Sequence, residues 1–85
     1  MKTVIIDTTK KTLKYNNWRI DLLEIESCSI FDESLVFYLK STRQVKIKFP
    51  VNILINPDAE PTPEPVESND PEELWNQIIT IKRSV

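Results

Sequence analysis

Apolar and polar residues alternate most regularly between residues 34 and 49, and this pattern predicts a β-hairpin. The alternating apolar positions are Leu35, Phe37, Leu39, Val45, Ile47 and Phe49. Between them, Lys46 and Lys48 point to the opposite face, and Ser41-Thr42 supplies the turn. Two runs of period two around a polar turn are typical of antiparallel strands with one buried face.

Shorter segments of the chain show the same alternation or an apolar centre, and they predict further strands. These segments are Lys2–Asp7, Lys11–Tyr15, Trp18–Ile30 and Val51–Ile55. Asn16-Asn17 is a suitable tight turn because asparagine tolerates positive φ. The parity of the apolar positions changes at Leu22-Leu23, which predicts a bend or bulge there. A helix over Leu22–Glu26 is the competing interpretation. The last strand, Val51–Ile55, is expected at a sheet edge.

The end of the chain carries a helix signal over residues 71–83. Asp70 is the predicted N-cap, Pro71 takes the first helical position, and Glu73 closes a capping box. Apolar residues recur at helical spacing at Leu74, Trp75, Ile78, Ile79, Ile81 and Val85. Such a face must cover apolar surface, and the open face of the preceding sheet is the available partner.

These elements predict one mainly-β domain over residues 1–85. We expect an antiparallel meander or partly open small barrel of six or seven strands, capped by the C-terminal helix. Residues 56–70 hold four prolines and five acidic residues. This composition predicts an extended, solvated loop between the sheet and the helix. Trp18, which follows a turn, is expected in the core.

The residue types that are missing exclude several kinds of chemistry. The chain has no histidine, no glycine and one cysteine, Cys28. Histidine is the commonest general base and metal ligand, and glycine-rich loops are needed for phosphate cradles. Paired carboxylates remain as an acid–base option. We therefore expect a protein that is not an enzyme and that holds no cofactor or metal.

The chain also carries no apolar run near the roughly 20 residues that a membrane span needs. Its first residues become polar too soon for a secretory signal. A cytoplasmic protein is the expectation.

The helix sequence PEELWNQII, with Trp75 turned inward and Ile79 one turn later, resembles the end of the pleckstrin-homology (PH-like) superfold. Upstream, residues 18–21 and 35–49 resemble the middle strands of bacterial PH-like domains. The resemblance implies a small binding module, in many members for proteins. Lys10, Lys11 and Lys14 lie near the place of the family's phosphoinositide cluster, but its usual arginine is missing. Lipid binding is therefore not carried over. An SH3-like or OB-like barrel is the alternative.

The outward face of the predicted hairpin is the first candidate for a binding surface. It comprises Val36, Tyr38, Lys40, Arg43, Lys46 and Lys48. Apolar side chains on a face away from the core indicate that a second layer or a partner covers them. We expect a protein partner there, which includes self-association as a homodimer. A phosphate or nucleic-acid ligand is the weaker alternative, because Tyr38 is the one aromatic residue beside these charges.

The acidic loop is the second candidate. Its carboxylates are Asp58, Glu60, Glu64 and Glu67. Residues 1–55 hold nine Lys/Arg against six Asp/Glu, so the negative charge is concentrated in this loop. The loop would suit a small regulator or inhibitor of the type encoded by phages and mobile elements, which would occupy a basic site on its target.

Overall fold

The alternating segments form eight strands and one α-helix in the computed structural model, which describes residues 2–84. The strands are β1 (Thr3–Asp7), β2 (Thr12–Tyr15), β3 (Trp18–Asp21), β4 (Ile25–Phe31), β5 (Ser34–Leu39), β6 (Gln44–Lys48), β7 (Val51–Ile55) and β8 (Val66–Ser68). Helix α1 spans Pro71–Arg83. A large sheet has the order β3-β2-β1-β7-β8, and a small sheet has the order β4-β5-β6.

The mainly-β class with a terminal helix over residues 71–83 is confirmed, and two details of the topology differ from the expectation. Eight strands are present among the described residues instead of six or seven. The β1–β7 pair is parallel, with Val4 opposite Ile53 and Ile6 opposite Ile55. The chain leaves the large sheet after β3, builds the small sheet, and returns beside its first strand. Parallel neighbours require such a crossover, so a plain antiparallel meander is not formed.

The bend predicted near Leu22-Leu23 is the place where the chain passes from one sheet to the other. Leu22–Glu24 form a single 3-10 turn, in which Leu22 is fully buried. The competing helix over Leu22–Glu26 is not formed, because β4 begins at Ile25. A register shift between Ile25 and Ser27 adds a bulge at the start of β4. Bulges increase the local bend and twist of a strand.

The core lies between the inner faces of the two sheets and the helix. All six inward positions of the hairpin are buried, and Leu35, Phe37 and Ile47 have no exposed surface. Leu74 and Ile78 of α1 are also fully buried. The Trp75 and Phe37 rings lie with their centroids 6.1 Å apart. The predicted packing of the helix against the sheet is therefore confirmed.

The structure corrects the prediction that Val51–Ile55 is an edge strand. β7 lies between β1 and β8, and β8 takes the edge position. β8 comes from the proline-rich segment 56–70, where Val66 pairs with Ile53. A three-residue strand directly after Pro65 gives almost no periodic signal, and an edge is the position that tolerates nearby proline.

Trp18 also lies outside the expected core. Its side chain is 46% exposed, because β3 is the other edge of the large sheet. The Arg43 guanidinium stacks over its ring at 5.5 Å from the centroid. This contact joins the β2–β3 turn of the large sheet to the hairpin turn of the small sheet.

The start of the helix is capped, but not by the predicted reciprocal box. Asp70 Oδ1 accepts a hydrogen bond from the Glu72 N–H at 3.0 Å. The Asp70 N–H donates to Ser68 Oγ at 3.4 Å instead of reaching Glu73. The end of β8 thus supplies the second half of the cap.

Candidate functional site

The outward face of the small sheet collects side chains from all three of its strands. Pairing in register puts Ser29, Val36 and Lys46 in one row. The next row along the strands holds Ser27, Tyr38 and Gln44. Both lysines of β6 are exposed, and Val36 and Tyr38 are half-buried. Because α1 packs on the inward side, this face forms an open, mixed apolar and basic surface, which we call the outer face.

Phe31 also belongs to the outer face, although the sequence pattern predicts that the strand ends one residue earlier, at Ile30, and that a turn begins at Phe31. It is the last residue of β4 and lies opposite Ser34, which has the same parity as Val36. Its side chain is 66% exposed. Phe31 and Lys48 flank Ser34 in a third row, and Ser34 is buried although it points outward. The alternation that continues from Ser27 through Ser29 is the sequence signal that would have placed Phe31 on this face.

Two of the predicted site residues lie in the turn between β5 and β6, and one of them contacts the large sheet. Lys40 follows β5, and its N–H donates to the Glu24 carbonyl at 2.9 Å. Arg43 precedes β6 and stacks on Trp18. The structure therefore places Val36, Tyr38, Lys46 and Lys48 together on the outer face, with Lys40 just after the end of β5, and it directs Arg43 to Trp18 of the large sheet.

The acidic loop does not present its carboxylates as one patch. Asp58, Glu60, Glu64 and Glu67 are all exposed. Asp58 shares a depression on the outside of the large sheet with Lys10, Lys14 and Arg19. Glu64 lies on another side, beside the helix residues Glu73 and Gln77. A single basic target site would contact only part of this set.

An open groove of about 750 Å3 runs along one side of α1. Ile55 and Ile81 supply apolar lining, and Glu72, Glu73 and Asn76 supply polar lining. Gln77 Oε1 is buried at this groove and has no hydrogen-bond partner. None of its lining residues belongs to the small sheet, so the groove is separate from the outer face.

Chemically reactive groups are scarce in the described part of the chain. Residues 2–84 contain no cluster of three or more His, Cys, Asp or Glu side chains that could hold a metal ion. Cys28 is half-buried in β4, and burial raises the pKa of its thiol. A thiol that stays protonated at neutral pH is a poor nucleophile.

Over residues 2–84, the helix is too short and too polar to cross a bilayer. Comparisons of this chain with protein-family models, curated proteins and solved structures find no match.

Proposed function

We propose that this chain is a non-enzymatic protein-binding domain that uses the outer face of the small sheet. The observation that carries the proposal is the uncovered pairing of apolar and basic side chains there. Val36, Tyr38 and Phe31 form the apolar part, and Lys46 and Lys48 form its basic border. Protein interfaces commonly combine an aromatic centre with a polar rim. A partner surface with apolar side chains beside carboxylates would complement it.

A PH-like relationship remains part of this proposal. The support is the arrangement of two sheets with a terminal helix whose Trp75 packs on Phe37. The parallel β1–β7 pair is a departure from the antiparallel meander on which the resemblance was based. The proposal therefore takes from this family only the idea of a small binding module, and no lipid ligand.

A charge-reversal experiment tests the outer face. Proteins captured by the wild-type chain from its native cells are identified, and each is purified for direct titration. We expect the double variant K46E/K48E to weaken binding of the true partner at least tenfold, because rim charges steer and select partners. The matched control K10E/K14E makes the same charge change on the large sheet and should leave affinity within about twofold. Equal losses of affinity in the two variants would refute the proposal that the outer face binds the partner.

The acidic-loop hypothesis is separated by a second arm of the same titration. The variant E60Q/E64Q removes two exposed carboxylates without changing side-chain size. If the loop inhibits a target by occupying a basic site, this variant should lose binding while K46E/K48E keeps it. The reverse result supports the outer face.

A further inference from the structure

The two edges of the small sheet are protected to different degrees. On β6, Lys46 and Lys48 are exposed, and lysines on an edge strand discourage pairing with another chain. On β4, the segment Ser27–Phe31 contains no charged residue and no proline. Its two largest side chains, Ile30 and Phe31, are 45% and 66% exposed. β4 is therefore an open edge without the usual protection.

The backbone of β4 has hydrogen-bonding groups directed to this open edge. The turn Asp32-Glu33 joins the opposed residues Phe31 and Ser34, which makes them a hydrogen-bonded pair. Because such pairs alternate along an antiparallel ladder, the peptide groups of Cys28 and Ile30 point away from β5. At the other end of the strand, Lys82 Nζ donates to the Ile25 carbonyl at 2.7 Å. Lys82 of the helix thus binds the first carbonyl of this edge strand and leaves the edge of Ser27–Phe31 open.

We propose that two copies of this chain pair antiparallel through Ser27–Phe31, with Ser29 beside its own copy at the two-fold axis. In this register the outward peptide groups of Cys28 meet those of the second copy's Ile30, which completes the hydrogen-bonded ladder. The bulge before Ser27 lies outside the paired segment. The two small sheets become one continuous sheet.

The side chains of the segment complement their own copy in this register. Ser27 faces the second copy's Phe31 on the outward side, and Cys28 faces its Ile30 on the inward side. Each large side chain therefore meets a small one. Ile30, whose neighbour within the chain is Leu35, gains a second neighbour across the new ladder. Pairing buries four exposed apolar side chains in the dimer, and the removal of apolar surface from water drives such association.

The size and charge of the interface predict a weak dimer. Five residues on each side are fewer than the roughly 20–30 of a standard interface. We expect a dissociation constant on the order of 10–100 μM. Glu26 and the second copy's Asp32 lie near the ends of the ladder, and both are exposed. Their repulsion is screened at about 0.3 M salt, which is the condition for the measurements.

Sedimentation equilibrium of the full chain tests the association. We expect a monomer–dimer equilibrium for the wild type, and at least tenfold weaker association for I30K, which places a charge at the edge. The matched control L23K introduces the same charge at a leucine that is 56% exposed in the 3-10 turn. L23K should associate like the wild type. A wild-type chain that stays monomeric at about 1 mM, or an I30K variant that still dimerises, would overturn the proposal.

A cysteine experiment tests the register independently. Ser29 and its copy form a non-hydrogen-bonded pair with Cα atoms about 4.5 Å apart, which is within disulfide range. Under oxidised glutathione, C28S/S29C should form a covalent dimer, whereas C28S/L23C should not. The wild type should also stay uncrosslinked, since Cys28 faces Ile30. Rapid wild-type crosslinking would indicate a register centred on Cys28 and overturn this one.

The proposed dimer and the proposed partner site share Phe31, but they are tested at different residues. The edge variant I30K leaves Lys46 and Lys48 in place, and K46E/K48E leaves the β4 edge in place. Each proposal can therefore fail while the other stands.

Discussion

Single residues in this chain take backbone conformations that glycine usually takes. The residues with positive φ are Lys11, Asn16, Asp32, Thr42 and Asn56. Asn and Asp tolerate this region because their short polar side chains bond locally. Asn56 uses its side chain over a long range as well, since its Oδ1 accepts from the N–H of Thr8, 48 residues away, at 2.8 Å. Thr42, with φ of 68°, is β-branched, and positive φ is least favourable for residues of this type.

A glycine at position 42 should therefore stabilise the protein. Thr42 closes the β5–β6 hairpin, where its N–H donates to the Leu39 carbonyl at 3.0 Å. T42G keeps this backbone bond and removes the Cβ atom, which a positive φ brings close to the following carbonyl oxygen. We expect the free energy of unfolding to rise by about 1 kcal/mol, since the relief of strain exceeds the added entropy of the unfolded chain. Urea denaturation measures the change. The control S41G changes a neighbouring residue without positive φ and should not stabilise the protein. A lower free energy of unfolding in T42G would contradict the idea that Thr42 is strained.

At the scale of elements, the helix start depends on its own N-cap residue and on the end of β8. Asp70 caps α1 through the Glu72 N–H, and Ser68 of β8 holds the Asp70 N–H. Glu72 and Glu73 lie in the first turn, and Lys82 and Arg83 lie in the last. These charges complement the helix dipole. The cap therefore links the end of the large sheet to the helix.

Removal of this cap should have a measurable cost. We expect D70A to lower the free energy of unfolding by about 1 kcal/mol, because the first-turn N–H loses its acceptor. D70N, which keeps an acceptor oxygen, should retain most of the stability. Thermal unfolding followed by circular dichroism gives both values, at roughly 4–8 °C per kcal/mol for a chain of this size. If D70N falls as far as D70A, the negative charge and not the hydrogen bond is responsible.

At the scale of the whole molecule, one helix closes the core of two sheets. Leu74 and Ile78 are fully buried between them. The radius of gyration of 12.1 Å agrees with the roughly 12 Å of a compact chain of this length. The helix also touches the small sheet at β4 through Lys82. The same element thus stabilises the core and limits the length of the free edge.

Truncation of a buried helix residue should destabilise the whole domain. We expect L74A to lower the free energy of unfolding by about 3 kcal/mol, which combines lost burial and the cavity that remains. L23A makes the same change at an exposed leucine and should cost less than about 1 kcal/mol. Urea unfolding should show unchanged m-values. Equal losses in the two variants would mean that α1 does not close the core.

The period of the apolar residues determined the elements, because period two and period 3.6 require no long-range information. It identified the hairpin of residues 34–49, its inward side chains, and the helix over residues 71–83. Residue types also determined the cap at Asp70 and the turn at Asn16-Asn17.

The tertiary structure decided which strands are neighbours, because pairing joins residues far apart in the chain and leaves no local signal. It put β7 inside the large sheet, made β8 from a proline-rich segment, and left Trp18 exposed on Arg43. It also decided the surfaces. Arg43 shares the charge of Lys46, but it stacks on Trp18, whereas register brings Phe31 to the outer face. The sequence shows that the segment Ser27–Phe31 is uncharged, but only the structure shows that this segment lies on an edge strand with one side unpaired.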